Sequence, residues 1–366
     1  MRLAVVFGTR PEIIKLSMLL KLASGRGDIE LFIIHTGQHY SYNLSKRFLE
    51  DLELPGISED IAVGSLERLD QIRKILWRLE PLLIELRPDM VLVQGDTNST
   101  LAGAIAAWDS GVPVAHVEAG LRCFDDSMVE EMNRRETDRL SDICFAPTEV
   151  SVANLEREGI PRERISMVGN TIIEVVSMNL EIARERSNIL ERLNLDPDTY
   201  ILVTAHRQEN VEDMKRLNQL VSALERIQLP MVYPVHPRTM ERFVEQELFH
   251  RLESVANLEM TEPLPYWDFL ELSRNSRMII TDSGGIQEEC TVYGKPVIVI
   301  RDSTERPEIL GTFGVLTGSD PDLILHEVKR LDGSFPDVAQ RLSRTPSPFG
   351  DGRASERILD EIVSRL

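Results

Sequence analysis

In this chain of 366 residues, the stretch with the clearest capacity for chemistry is Thr281-Asp282-Ser283-Gly284-Gly285-Ile286-Gln287-Glu288-Glu289, which follows the apolar run Met278-Ile279-Ile280. Two glycines let the backbone turn sharply at the carboxyl end of a strand. The first N–H groups of the helix that follows are then unpaired, so the stretch can hold an anion such as a phosphate. Glu288 and Glu289, one turn further in, would reach the hydroxyls of a sugar attached to that phosphate. The same residues also describe an ordinary strand-to-helix turn capped by serine. The rest of the chain has to decide between the two.

Other strand ends carry reactive types as well. Gly8-Thr9-Arg10-Pro11 follows the strand-like Leu3 to Phe7, and Arg10 and Lys15 are either anion ligands or solvated charge. Asp96, in Gly95-Asp96-Thr97, is a local cap or an acid/base. Glu118 follows the run Val112 to Val117 and lies beside Ala119-Gly120, where a half-buried carboxylate is costly without a partner. Glu130 opens a charged helix whose later turns read as a solvated face. Two strand ends each deliver a histidine followed closely by arginine, at His206-Arg207 and His236-Pro237-Arg238. A free imidazole titrates near neutrality and serves acid/base work.

These residues need a scaffold that brings strand ends together. Short β-branched runs alternate with amphipathic segments throughout, the pattern of a parallel sheet covered by helices. With 366 residues, 42% of them hydrophobic, the chain suits two cores. The turn Gly169-Asn170-Thr171 is the expected hinge, giving domains 1–169 and 170–353, and the amphipathic helix 354–366 must dock somewhere. No long Pro/Gly linker separates the halves, so they are expected to face each other across a cleft. A net charge of −19 excludes nucleic acid and anionic membrane as partners. Three cysteines without C-x-x-C spacing give neither a disulfide framework nor a zinc site, and no apolar run is long enough for a signal core or a span. A cytoplasmic location follows. Gly-x-Gly-x-x-Gly, P-loop and H-E-x-x-H patterns are all missing, which disfavours hydride transfer, NTP hydrolysis and a metal site.

What remains is a diphosphate-sized anion pocket with carboxylates and histidines around it, which suits a sugar nucleotide. Gly8-Thr9-Arg10-Pro11-Glu12-Ile13-Ile14-Lys15, Thr36-Gly37-Gln38-His39, Gly95-Asp96-Thr97, His116 to Arg122, Glu130 to Arg134, Ala205-His206-Arg207, the glycine stretch and Arg301 to Glu308 together resemble the non-hydrolysing UDP-N-acetylglucosamine 2-epimerases. The resemblance implies an α/β GT-B architecture of two Rossmann-like domains facing a central cleft, with the terminal helix 354–366 crossing back onto the first, and interconversion of UDP-GlcNAc and UDP-ManNAc with no added cofactor or metal. By resemblance, Asp96, Glu118, Glu130 and His206 carry the acid/base work. Arg10, His206, Ser283, Gly284, Gly285 and Arg306 hold the diphosphate, with Lys15 in the same pocket, Glu289 on the ribose and Phe269 near the uracil. The resemblance also implies a homodimer, a role in surface polysaccharide or glycan synthesis, and activation by a second substrate molecule through Gln38, His39 and Arg207.

The sequence departs from the pattern in places. Pro263 to Phe269 lacks the glutamine often found before the aromatic, Val129 stands where a proline commonly precedes the glutamates, and Ser41 replaces a glutamine of the activator set. Alternatives are an epimerase for a UDP-diacetamido-glucuronate, a hydrolysing epimerase releasing free ManNAc, a GT-B glycosyltransferase, and a non-catalytic regulator that binds the sugar nucleotide.

Overall fold

The structure, a computed structural model, describes residues 1–38, 54–126 and 128–365. His39 and Ser41 of the expected activator set lie outside the described residues. The contacts divide the chain into two units, residues 1–175 with 349–366, and residues 176–348. The first crossing between them falls inside helix Thr171–Arg186.

The first unit is a seven-stranded sheet of β1 (Arg2–Phe7), β2 (Glu30–His35), β3 (Glu59–Asp60), β4 (Met90–Gln94), β5 (Val114–Val117), β6 (Ile143–Ala146) and β7 (Ile165–Met167), in the order β3-β2-β1-β4-β5-β6-β7. Every pairing is parallel. Leu3 to Phe7 have no exposed surface, as a strand must when helices cover both faces of its sheet. Helix Asn98–Asp109 explains its own small residues. A Cβ on Gly103 would lie 2.9 Å from Val93 Cγ1, so this helix sits close against the sheet and only small residues fit between them. The last helix, Ala354–Arg365, packs on helix Arg10–Ser24 and buries Ile358, Leu359 and Ile362.

The second unit repeats the plan with six parallel strands, β8 (Ile201–Thr204), β9 (Met231–Pro234), β10 (Leu258–Thr261), β11 (Met278–Thr281), β12 (Val297–Val299) and β13 (Gly314–Leu316). Their order is β10-β9-β8-β11-β12-β13. In both sheets the direction of winding reverses once, between β1 and β4 and between β8 and β11. At such a reversal the flanking loops part at the carboxyl edge and leave a crevice where open α/β sheets bind ligands. The loops leaving these four strands contain Arg10, Asp96, His206 and Ser283. No described helix is long and apolar enough to cross a membrane.

Candidate active site

In the first unit, β1 delivers Gly8 to Arg10 into the N-terminus of helix Arg10–Ser24, and β4 delivers Gly95 to Thr97 into helix Asn98–Asp109. One buried carboxylate ties these turns together. Glu12 Oε2 accepts from the Gly8 N–H at 3.1 Å, the Thr9 N–H at 2.8 Å and the Thr9 hydroxyl at 2.7 Å. Its Oε1 lies 3.0 Å from the Thr97 hydroxyl and 3.2 Å from that of Thr100. Burial raises the Glu12 carboxyl to about 7, against the downward pull of these hydrogen bonds.

Asp96 is released from capping duty. Thr97 is the cap, accepting from the Thr100 N–H at 3.1 Å, while Asp96 Oδ2 meets the Arg134 guanidinium at 2.5 Å with its side chain 29% exposed. Glu118 resolves the cost raised by its sequence position. It is buried, and its Oε1 takes Lys15 Nζ at 2.5 Å and Asn170 Nδ2 at 3.1 Å, while its Oε2 takes Gln94 Nε2. Its φ of 67° is left-handed, a strain of about 1–3 kcal/mol that persists only where surroundings over-determine it and that gathers at functional sites. Removing Lys15 alone would leave a buried unpaired carboxylate, a penalty of about 3–5 kcal/mol.

The paired glutamates separate by environment. Glu131 is fully buried and accepts from the N–H groups of Cys123 and Phe124, both at 3.2 Å, and from Arg134 at 2.9 Å. It holds the preceding loop in shape. Glu130, in the first helical turn, is half-buried and keeps its carboxylate available. Beneath them His116 lies between Asp138, 2.7 Å from Nδ1, and the Gly95 carbonyl, 2.8 Å from Nε2. Burial would raise the Asp138 carboxyl, but His116 and Arg122 outweigh it and hold it below the usual range. Gln38 is buried, with its side-chain carbonyl accepting from Ser99 N–H and hydroxyl at 3.0 and 2.7 Å.

In the second unit Ser283 stands in the cap position of helix Gly284–Tyr293, and Gly284 and Gly285 open that helix without a left-handed φ, so the turn itself does not draw on their conformational freedom. The Ser283 side chain makes no capping bond, so the hydroxyl and the first helical N–H groups are presented together to an anion. Gly284 is required by close approach. A Cβ there would stand 2.6 Å from an Arg306 terminal nitrogen, so the guanidinium rests directly on the helix start. Arg306 is buried and fixed by Glu288 at 2.8 Å and Glu305 at 3.2 Å. Of the two acids in the stretch, Glu288 is thus spent on Arg306, while Glu289 is half-buried and accepts from the Tyr293 hydroxyl at 2.8 Å.

Beside this turn, Asp282 is fully buried and accepts from the N–H groups of His206 and Arg207 at 3.0 and 2.9 Å and from Asn210 Nδ2 at 3.0 Å. It fixes the β8 loop against the β11 loop. His206 projects with 44% of its side chain exposed, its Nδ1 3.5 Å from Asp282. The two strand-end histidines meet, with ring centroids 6.3 Å apart. Burial first, then the neighbouring charge of His206, lowers the pKa of His236. Arg207 occupies the cap position of the short helix Gln208–Val211 without a side-chain capping bond, and Phe269 is half-buried on helix Tyr266–Arg274.

The structure therefore gathers Arg10, Lys15, Asp96 and Glu118 with Glu130 around the carboxyl edge of the first sheet, and His206 with Ser283, Gly284, Gly285, Glu289 and Arg306 around that of the second. Roles absent from the expectation belong to Glu12, Arg134 and Asp282. The Thr9-x-x-Glu12 spacing of a capping box is the signal that could have found the first. Among the described residues, no group of three or more His, Cys, Asp or Glu side chains could hold a metal ion.

Two parallel-sheet Rossmann-like domains with these switch-point sites define the GT-B-like class of α/β proteins. Residues 22–363 match the sequence family described as UDP-N-acetylglucosamine 2-epimerase. A UDP-N-acetylglucosamine 2-epimerase of Methanocaldococcus jannaschii is 41% identical, covering 98% of both chains, and a UDP-2,3-diacetamido-2,3-dideoxy-D-glucuronate 2-epimerase of Pseudomonas aeruginosa is 36% identical over 99% of both. The crystal structure of the Methanocaldococcus jannaschii UDP-GlcNAc 2-epimerase in complex with UDP-GlcNAc and UDP superposes with a TM-score of 0.89 at 40% identity over the whole of both chains. That of the Neisseria meningitidis enzyme bound to UDP-GlcNAc gives 0.91 at 33%, again with full coverage. This chain belongs to the UDP-N-acetylglucosamine 2-epimerase family and is an isomerase.

Proposed function

We propose that the chain interconverts UDP-GlcNAc and UDP-ManNAc in the cytoplasm, without an added cofactor. The C2 proton of the sugar is not next to a carbonyl, so removing it alone would leave an unstabilised carbanion. Elimination avoids this. A base takes the C2 proton as the C1–O bond to the diphosphate breaks, giving 2-acetamidoglucal and UDP. Readdition of UDP at C1, with proton delivery to the opposite face of C2, inverts that centre. Acid and base must therefore serve C2, and fixed donors must receive the charge that develops on the departing diphosphate.

The observation that carries this reading is the helix start at Ser283, where an uncommitted hydroxyl and the opening N–H groups lie beside the buried Arg306. That is a receptor for a diphosphate which has to stay bound while the sugar is detached. Asp96, Glu118, Glu130 and His206 are the candidates for proton transfer, with Lys15 the cation on Glu118 and Arg134 the cation on Asp96. Incubation with UDP-GlcNAc in deuterated water, followed by NMR, tests the reading. Deuterium at C2 together with UDP-ManNAc is the expected outcome; UDP-GlcNAc that binds yet returns unlabelled would refute it. The diacetamido-glucuronate reading, which the Pseudomonas relative keeps open, predicts turnover of that sugar nucleotide instead.

A further inference from the structure

His116 takes no part in the proposed reaction, yet it is fully buried among the residues that do. Its Nδ1 lies 2.7 Å from Asp138 Oδ1 and its Nε2 lies 2.8 Å from the Gly95 carbonyl. A carbonyl oxygen can only accept, so Nε2 carries a hydrogen. Asp138 accepts at its other oxygen too, from Arg122 Nη2 at 2.6 Å and from the Gly120 N–H at 3.2 Å, which is the bonding of an ionised carboxylate. Nδ1 therefore carries a hydrogen as well, and the ring is an imidazolium. A buried charge of this kind has to be balanced. His116 and Arg122 face Asp138 and Glu158, two charges of each sign, with Arg122 bonded to Glu158 at 2.8 Å through both Nε and Nη2. Arg135, 3.7 Å from Glu158, has its own partner in Asp126.

The far arm of the ring reaches the turn that carries Asp96. Gly95 has a left-handed φ of 79°, and β5 holds both of its polar backbone groups: the N–H donates to the Val117 carbonyl at 3.0 Å, and the carbonyl accepts from His116. Helix Val129–Leu140, with Glu130 in its first turn, meets the same turn at three points. Asn133 Nδ2 donates to the Asp96 carbonyl at 2.9 Å, Arg134 donates to Asp96 Oδ2 at 2.5 Å, and Asp138 acts through His116. Glu130, Asn133, Arg134 and Asp138 share one face of the helix by their spacing. Charge alone assigns the later turns of this helix to solvent, but Asn133, Arg134 and Asp138 are buried. Glu118 follows His116 by two residues. The three carboxylates of the first sheet thus stand on one buried framework, and His116 is where its strands and helix join.

We infer that His116 is a positioning residue of the reaction: as an imidazolium held by Asp138, it pins the Gly95 carbonyl and so sets Asp96 against Glu130. The inference rests on the catalytic reading of Asp96, and its test keeps the two apart. Neutron diffraction from deuterium-exchanged crystals at about pH 8, where a free imidazole is neutral, should show deuterium on both ring nitrogens. His116→Gln and His116→Asn remove the same charge but keep different arms. The Gln amide nitrogen falls near Nε2 and still donates to Gly95, whereas that of Asn falls near Nδ1 and reaches only Asp138. Hydrogen exchange over residues 94–97 of the ligand-free protein should be at least ~10-fold faster in the Asn variant than in the Gln variant. For deuterium incorporation at C2 of UDP-GlcNAc, kcat should be at least ~10-fold lower in the Asn variant, with KM little changed. A histidine that only balanced charge would move both variants alike. One deuteron on the ring, or equal hydrogen exchange in the two folded variants, overturns the inference. Hydrogen exchange that differs while kcat does not would support the pinning and refute the catalytic role of Asp96. Should circular dichroism show either variant unfolded, the neutron map of the unmodified protein decides.

Discussion

Glu12 lies 2% exposed between two turns, and its carboxyl is raised to about 7 by burial. The geometry shows where its proton goes. The Thr100 hydroxyl, 2.7 Å from the Gln94 carbonyl, gives its own hydrogen there, which leaves its oxygen to accept from a protonated Glu12 at 3.2 Å. In the unfolded chain the same carboxyl has a value near 4.5. The folded protein therefore binds a proton that the unfolded chain has released. This contribution to stability is full below about 4.5 and is lost as pH rises through 7. Glu12→Gln keeps an acceptor toward Gly8 and Thr9 and a donor toward Thr100 at every pH. Between about pH 5 and pH 8 the unmodified protein should lose on the order of 2–3 kcal/mol relative to this variant in urea unfolding, and a pH-independent difference would count against the account. At this scale the sequence is legible in part. Arg10, Asp96, Glu118 and Ser283 stand out because they end strands beside glycine or threonine. Gln94 and Asn170 do not stand out, because their partner Glu118 is 24 and 52 positions away and only the fold brings them to it.

At the scale of elements, the start of helix Gly284–Tyr293 works because its first residue has no side chain. Gly284→Ala would drive a Cβ to 2.6 Å from the Arg306 guanidinium, which is held on its far side by Glu288 and Glu305 and has little room to retreat. UDP affinity measured by titration calorimetry should fall at least ~10-fold while the thermal midpoint changes little, since the helix interior and its other contacts are untouched. Wild-type affinity would mean that Arg306 takes no part in holding the anion. Alternation of strands and helices was readable from periodicity, and so were the strand ends at Phe7, Gln94, Thr204 and Thr281. Strand order was not. That β1 neighbours β4, and β8 neighbours β11, depends on crossovers that leave no mark on the local pattern, yet these pairings make the two crevices.

For the whole molecule, the last helix shows how a periodic segment can be recognised without its destination. Its apolar positions predict a buried face, and the structure supplies the surface it meets, helix Arg10–Ser24, with Arg26 bridging to Asp360 at 2.6 Å. Ile358, Leu359 and Ile362 are each at most 1% exposed, and burying side chains of this size contributes about 1.5–3 kcal/mol apiece. A chain ending at Gly352 forfeits a sum comparable to the whole margin of an ordinary domain, about 5–15 kcal/mol. Hydrogen exchange should then show the strands of the first unit losing protection while β8, β9 and β11 keep theirs. Uniform loss in both units would mean that they unfold as one.

The two places where the chain passes between units are stitched together on the first of them. The Asn170 N–H donates to the Phe349 carbonyl at 2.7 Å, and Glu174 accepts from the Ser355 N–H at 3.1 Å. A ribosome releases the chain from its N-terminus and domains commonly fold in that order, but here the first unit lacks its last helix until residues 349–366 have emerged. The second unit, residues 176–348, is contiguous and complete before then. The seven-stranded sheet therefore spends most of synthesis with one flank of its opening helix uncovered.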